Sequence, residues 1–429
     1  MRKLRSSNYV TIALCGALLL GLGAPTAEAQ TPEQRRLDSL TIRLEDAEAY
    51  INMLRQQLAT EADAGVRTRS RIGLEFSGRV LMHVFQNSKE TNNADVPMYR
   101  KQVPDGTPKG GMGMTVRQSQ FVGAVTVHDV FGGTFLGDID VDFFGGQVPS
   151  PGGRTFPLMR IRTARAILEW ENSQLLIGQE QPLVSNLNPI SIAAIGAPNF
   201  SYSGNLWLWL PQIRYGWHTN GALRFGAQAA VLAPTSGEPQ TPYETGFDAA
   251  ERTGMPFVQS RLSMGWGEQD AGGEFGVGYH MGSMQDSAQT NHPSNAITVD
   301  FLVPLPLNLE IRGEAFGGQM LHGLGGGGIG QNFGVDSITP VRSVGGWVQI
   351  NHRLSQRLLW GIGYGFDDPN DDDLPAVNVK FKNVTQEAHV HWRPAGPLLF
   401  GLEYRSVKTS YDASNYGNTH INLAFGFEF

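Results

Sequence analysis

From Ile421 to the C-terminus the chain alternates: Ile421, Leu423, Phe425, Phe427 and Phe429 fall on one face of an extended ribbon, Asn422, Ala424, Gly426 and Glu428 on the other. Such a ribbon suits a wall between lipid and water, because successive side chains of a strand point to opposite sides. An edge strand of a soluble sandwich would look the same over one segment, but the pattern recurs. Leu74, Phe76, Val80, Met82 and Val84 oppose Glu75, Ser77, Arg79 and His83, and Leu223, Phe225, Ala227, Ala229 and Val231 oppose Arg224 and Gln228. Leu358, Trp360, Ile362, Tyr364 and Phe366 oppose Leu359, Gly361, Gly363 and Gly365. Sixteen strand-like segments follow Arg71 with no helical period between them, among them 72–86, 115–129, 159–171, 205–218, 296–303 and 417–429. Tight connections such as Glu171-Asn172-Ser173, Thr219-Asn220-Gly221 and Pro304-Leu305-Pro306 alternate with long ones such as Asn87–Met114, Pro182–Gly204, Pro234–Met255 and Met320–Pro340. Short turns on one rim and long loops on the other predict an all-β protein, a 16-stranded antiparallel transmembrane β-barrel over 72–429. Tyr215, Trp217, Trp266, Trp360, Tyr364, Trp392 and Tyr404 lie near segment ends, where interfacial aromatic girdles belong.

Upstream the period changes. Leu37, Leu40, Leu44, Ala47, Ile51, Leu54 and Leu58 alternate spacings of three and four, an a/d seam that predicts a coiled-coil helix over 30–61 and self-association through it. Its mixture of Leu and Ile does not choose between dimer and trimer. Residues 62–71 read as a polar linker. Residues 1–29 read as a signal peptide: Arg2, Lys3 and Arg5 precede the apolar stretch Val10–Leu22, and Ala27-Glu28-Ala29 is a small-x-small cleavage site. With both barrel ends on the short-turn rim, the coiled coil is expected in the periplasm and the barrel in a bacterial outer membrane.

Composition sharpens this reading. The chain holds 53 Gly and 22 Phe with only 17% charged residues, against about a quarter charged in an average globular chain. Beyond the leader no apolar run of about 20 residues occurs, as a helical membrane protein would need. The formal charge of −7 offers nothing to nucleic acid. The one cysteine, Cys15, lies in the leader, so the mature chain is expected to have no disulfide, thiol nucleophile or cysteine-bound metal.

The chemistry of a pore is the charge and width of its lumen. Projecting the alternation inward places Arg79, Arg214, Arg224, Arg261, Arg312 and Arg342 in the lumen; Arg162 and Arg165 are ambiguous, because their strand changes phase. Asp138, Asp140 and Asp142, with Glu310, Glu314, Glu387 and Glu403, form an opposing acidic set, so a transverse field between facing walls is expected. The preponderance of arginine, whose fork matches carboxylate and phosphate, favours anionic or zwitterionic solutes. The connection Pro182–Gly204 is too apolar for an exposed loop; with Leu187, Ile190, Ile192, Ile195 and Phe200 it is expected to fold into the barrel and narrow it. Asp367, Asp368, Asp371, Asp372 and Asp373 read as a solvated outer loop ahead of a calcium site, and Glu387, His389 and His391 as lumen lining ahead of a metal cluster. Gly323–Gly330 reads as a flexible loop. No cofactor, metal or enzymatic centre is expected.

With these segments placed, the chain resembles the DcaP-like porins, outer-membrane channels whose barrel follows a periplasmic coiled coil. The resemblance rests on the heptads and on Gln118-Ser119-Gln120-Phe121, Asp140-Val141-Asp142-Phe143-Phe144-Gly145, Arg160-Ile161-Arg162-Thr163-Ala164-Arg165 and Leu176-Ile177-Gly178-Gln179. It implies a homotrimer of sixteen-stranded pores embedded in outer-membrane lipid and passing small organic acids. Gln120 stands where the family tends to have arginine, and Glu180-Gln181-Pro182 where a Thr-Trp pair is usual. A phosphate-selective type of porin and a plugged structural or adhesive barrel are the competing readings.

Overall fold

The computed structural model describes residues 72–102, 110–146, 155–238, 246–267, 272–374, 379–412 and 414–429. The leader, the heptad seam from Leu37 to Leu58 and the linker lie outside them. The described strands are β1 (Ile72–Asn87), β2 (Gly111–Thr115), β3 (Gln120–Val130), β4 (Gly133–Asp142), β5 (Arg160–Glu169), β6 (Ser173–Glu180), β7 (Leu210–His218), β8 (Leu223–Leu232) and β9 (Phe257–Trp266). They continue as β10 (Gly273–Gln285), β11 (Asn291–Leu305), β12 (Leu309–Gln319), β13 (Arg342–Ser355), β14 (Leu358–Pro369), β15 (Lys380–Trp392), β16 (Leu398–Tyr411) and β17 (Ser414–Glu428).

Apart from β2, each strand pairs antiparallel with its neighbours in sequence, and β17 returns to β1, with Leu423 opposite Val84 and Ile421 opposite Gln86, so the sheet has no free edge. Closure matters because unpaired backbone polar groups are intolerable in lipid. β2 and β3 both pair with β1, Thr115 opposite His83 and Gln120 opposite Arg79. They are therefore one stave interrupted at Val116–Ser119, which makes sixteen staves. The interruption is a deviation from the continuous strand expected over 115–129. Leu81 N–H, left without a backbone partner there, donates to Ser119 Oγ at 3.0 Å.

The alternation decides which face is which. Phe76, Ile421, Leu423, Phe425 and Phe427 are exposed, while His83, Asn422, Ala424 and His420 on the opposite face are buried. An apolar outer skin over a polar inner face is a membrane barrel turned toward lipid, the inverse of a soluble core. Tyr215, Trp217, Tyr364, Trp392 and Tyr404 all stand exposed on that skin.

Three of the long connections turn inward. The connection after β1 bonds to inner-face side chains of β15 and β16: Asn383 Nδ2 donates to Met98 O at 2.8 Å, and Tyr411 OH to Arg100 O at 2.8 Å. The connections after β6 and β12 meet in an apolar cluster that includes Leu183, Leu206, Leu321 and Leu324, packed on the inward-facing Leu210, Leu232, Phe257, Met284 and Phe316. Burying side chains of this size contributes about 1.5–3 kcal/mol each. Gly323–Gly330, expected as a flexible loop, is part of this packing. A methyl group at Gly325, whose φ is +101°, would stand 2.7 Å from Leu208 N, so these glycines permit loop-on-loop contact.

Candidate functional site: a loop-lined lumen

The connection between β6 and β7 follows the inner wall and is fastened by its own backbone. Leu183 N–H donates to Gln259 Oε1 on β9 at 2.8 Å, Leu187 N–H to Glu314 Oε1 on β12 at 2.7 Å, and Ile190 N–H to Gln349 Oε1 on β13 at 2.7 Å. Gln349 Nε2 returns a bond to Ile190 O at 2.9 Å. Ile192 and Ala193 N–H then donate to Glu403 Oε1 on β16, at 2.6 and 3.0 Å, with Ser191 Oγ on Oε2 at 2.6 Å. Ile195 N–H reaches Gln118 in the interrupted stave at 2.8 Å. A loop without secondary structure must find partners for its N–H groups once buried, and here the wall's amides and carboxylates supply them.

The apolar side chains of the loop point into the wall. Ile192 and Ile195 are buried against Leu81, Leu399 and Ala424, and Phe200 stacks on Trp347 with ring centroids 5.9 Å apart. Leu187 and Ile190 stay half-buried. The close fit depends on a glycine stripe on the inner face of β14. A methyl at Gly363 would stand 2.7 Å from the Phe200 ring, one at Gly365 the same distance, and one on β16 at Gly401 would collide with Ile192.

The wall from β3 to β7 is chemically different. A bulge in β5 sets Arg162 between the pairs Asp142–Arg160 and Asp140–Thr163, so the strand slips phase there. Arg160, Arg162 and Arg165 consequently all meet the acidic ladder of β4. Arg160 takes Asp142 with two bonds of 2.9 Å, and Arg165 takes Asp138 at 2.8 Å and also pairs with Glu180. Arg162 is less satisfied: Asp140 and Asp142 lie 3.6 and 3.7 Å away, within ion-pair but beyond hydrogen-bond distance, and among the described residues its Nε has no hydrogen-bond partner. Gln120 Nε2 occupies Asp140 at 2.7 Å. Trp209, at the end of the loop, lies 4.8 Å beneath the Arg162 guanidinium and 5.3 Å from that of Arg160, within cation–π range. Arg214 on β7 donates to Gln212 Oε1 at 3.1 Å and to Gln181 O, and among the described residues no carboxylate lies within ion-pair distance of it.

Other expected lumen residues fall as follows. Arg79 faces inward, 3.8 Å from Glu428. Arg261 is buried between Asp300 and Glu274, each 2.5 Å away, and Arg312 holds Glu310 at 2.6 Å. Arg224 faces inward but bonds to Gly267 O at the short-turn rim. Arg342 is a correction: it shares the outward face of β13 with Val344 and Val348, its side chain is 56% exposed, and it pairs with Asp373 of the outer loop. It lines no pore. The separation of cations and acids onto facing walls is a second correction, because Arg79, Arg160 and Arg165 meet acids of adjacent strands, Arg312 one of its own strand, and Arg261 acids of β10 and β11. Arg160 was missed as a lining residue; only the strand register reveals its place opposite Asp142. The aspartates of 367–373 do not converge. Asp367 accepts from Ser343 Oγ and Ile329 N inside, Asp368 pairs with Lys382 outside, and Asp373 holds Arg342. Among the described residues no group of acidic, histidine or cysteine side chains is arranged to hold a metal ion.

A closed barrel with an oily exterior, a polar inner face and a loop folded against that face is the architecture of outer-membrane channels. No protein-family model matches the chain, and no curated protein is similar to it in sequence. Solved structures do match. The outer-membrane channel DcaP of Acinetobacter baumannii superposes with a TM-score of 0.64 at 16% identity, over 85% of this chain and 99% of that one. An anion-selective porin from Comamonas acidovorans gives 0.54 at 10% identity, over 83% and 100%. At these identities the likeness establishes the fold, that of the DcaP channel.

Proposed function

We propose that this chain is an outer-membrane porin through which small hydrophilic anions, organic acids among them, diffuse. The observation that carries the anionic preference is the state of Arg162 and Arg214: two guanidinium groups on the β3–β7 wall whose charge is not fully taken up by neighbouring carboxylates. Arg214 offers a carboxylate or phosphate a partner without first breaking a protein ion pair, and Arg162 does so against two long ion pairs that lack hydrogen bonds. The loop of 181–209 confines solutes to that wall, because the opposite side of the lumen is occupied by its packing. Leu187, Ile190, Ile192, Ile195 and Phe200 act in this reading as a constriction built from backbone, with most of the side chains serving as anchors. The seam from Leu37 to Leu58 is proposed to gather copies, three if the resemblance holds, on the periplasmic side.

The test is reversal potential across a planar bilayer under a salt gradient. Wild-type protein should favour anions, and Arg162→Ala with Arg214→Ala should move the potential toward cation preference. A clear cation preference in the wild type overturns the solute reading. Absence of any conductance would favour a plugged structural barrel, a reading supported by the apolar cluster between the loops. Competition by inorganic phosphate far stronger than by organic acids would favour a phosphate-selective channel.

A further inference from the structure

Gln118 is fully buried, and it holds the middle of the loop at three points. Its Nε2 donates to Ala193 O at 2.9 Å, and its Oε1 accepts from Ile195 N–H at 2.8 Å and Gly196 N–H at 3.3 Å. Only a side chain with both a donor and an acceptor can make this set; a carboxylate lacks the first and an aliphatic group both. The side chain is available because the stave is broken. Four residues, Val116 to Ser119, stand where β1 offers Val80 to Met82, and Ser119 N–H closes a turn on Val116 O at 3.0 Å. Gly196, gripped in this way, presents its carbonyl to Arg160 Nη2. It must be glycine, since a methyl there would enter the Phe144 ring, and that ring itself lies 5.3 Å from the Arg160 guanidinium. Arg160 is thus set by two groups, the Asp142 carboxylate and a loop carbonyl whose position belongs to Gln118.

We infer that Gln118 is a positioning residue for ion discrimination: it fixes the Gly196 carbonyl that orients Arg160 on the selective wall. The inference rests on the channel reading above. Without the grip, Gly196 leaves Arg160, and the guanidinium, already bonded twice to Asp142, loses the second anchor that fixes its orientation, which alters the positive potential offered to solutes. The experiment is reversal potential of the full-length protein reconstituted in planar bilayers in a potassium chloride gradient. Gln118→Met, close in size and without hydrogen-bonding capacity, should lower the anion-to-cation permeability ratio several-fold while leaving the heat-modifiable mobility of the barrel in place. In an Arg160→Gln background the same substitution should do nothing further, since coupled residues are non-additive. Ile195→Pro, which deletes one donor from the loop side, should reproduce the shift and stands in if Gln118→Met does not assemble. An anion-selective wild type whose ratio is unchanged by both variants, or effects of Gln118→Met and Arg160→Gln that simply add, would overturn the positioning role alone. A wild type that conducts without anion preference defeats the channel's solute reading first, and this inference with it.

Discussion

Between β9 and β17 the inner wall presents Gln259, Glu314, Gln349, Glu403 and a row of glycines, and the loop from β6 consumes their bonding capacity and their space. Between β3 and β7 it presents Arg160, Arg162, Arg165 and Arg214 with the aspartates of β4, which bond chiefly to one another and, through Arg160 and Arg214, to the Gly196 and Gln181 carbonyls of the loop. Both walls are polar and both come from strands of the same alternation. The difference lies in what satisfies the polar groups: backbone on one side, neighbouring side chains on the other. A carboxylate such as Glu403 that receives N–H bonds is therefore structural, whereas a guanidinium such as Arg214, with no carboxylate within ion-pair distance among the described residues, is the kind of group that the proposed function assigns to solutes.

Removing the loop is the most severe way to break this contrast. Deletion of 186–196 with a short glycine bridge should raise single-channel conductance several-fold and leave Glu314, Gln349 and Glu403 facing water, which should carry selectivity toward cations. Conductance that stays at the wild-type level would mean that the loop does not set the width of the pore.

Glycine substitutions probe the same contrast more locally. Gly365→Val places a branched side chain where the Phe200 ring and the Ser203 carbonyl now lie, and overpacking of this kind costs about 1–3 kcal/mol. It should lower the temperature at which the folded band is lost on gels. Gly216→Ala on β7 faces only the Gln228 side chain at 3.3 Å and should be tolerated. Equal effects at the two sites would show that the loop is not seated on the β14 stripe as described.

The strands were legible because lipid on one side and water on the other enforce period two; β1 and β17 lie within three residues of the segments expected over 72–86 and 417–429. The Gly361-x-Gly363-x-Gly365 run also held a signal that went unread, for an inner face stripped of side chains implies that another part of the chain occupies the space. Three things were hidden for a physical reason each. The phase change at Arg162 and Arg165 is visible in the alternation, but the bulge that brings both of them, with Arg160, onto the acids of β4 is not. The break at Val116–Ser119 depends on β1 offering fewer residues than the stave opposite it. Pairing of Arg160 with Asp142 depends on strand register, a property of two segments and not of either alone. Arg342 was misplaced because near a strand end the outward face leaves the lipid, so charge there no longer reports the lumen.

A smaller change separates the wall from the packing around it. Ser191, Ile192 and Ala193 converge on Glu403. Glu403→Gln keeps the shape and one oxygen for the Ile192 and Ala193 N–H groups but removes the charge and the acceptor opposite Ser191 Oγ, and hydrogen bonds to a charged group contribute about 1.5–3 kcal/mol each. Current noise should increase, with brief excursions to higher conductance as 191–193 detach. Unchanged noise would assign the hold on the loop to Gln349 and Gln118 instead.

The mildest test lies at the outer rim, in the connection from β8 to β9. Asp248 is buried there, which by itself raises a carboxyl pKa, but N–H groups of Glu251, Ser236 and Ala250 and the Thr235 hydroxyl bond to it at 2.8–2.9 Å and hold it below the usual range. A carboxylate with a depressed folded pKa contributes stability above the unfolded value of about 4 and loses it as pH falls through the lower folded value. Asp248→Asn should therefore open this connection to added protease at neutral pH, while the wild type becomes equally susceptible only under strongly acid conditions. Because Asp248 bonds, among the described residues, only within this connection at the outer rim, conductance and ion preference should not move. A shift in either would mean that the covered side of the lumen depends on the β8–β9 connection as much as on the loop from β6, and the division between a loop-covered wall and the arginine-bearing wall would have to include it.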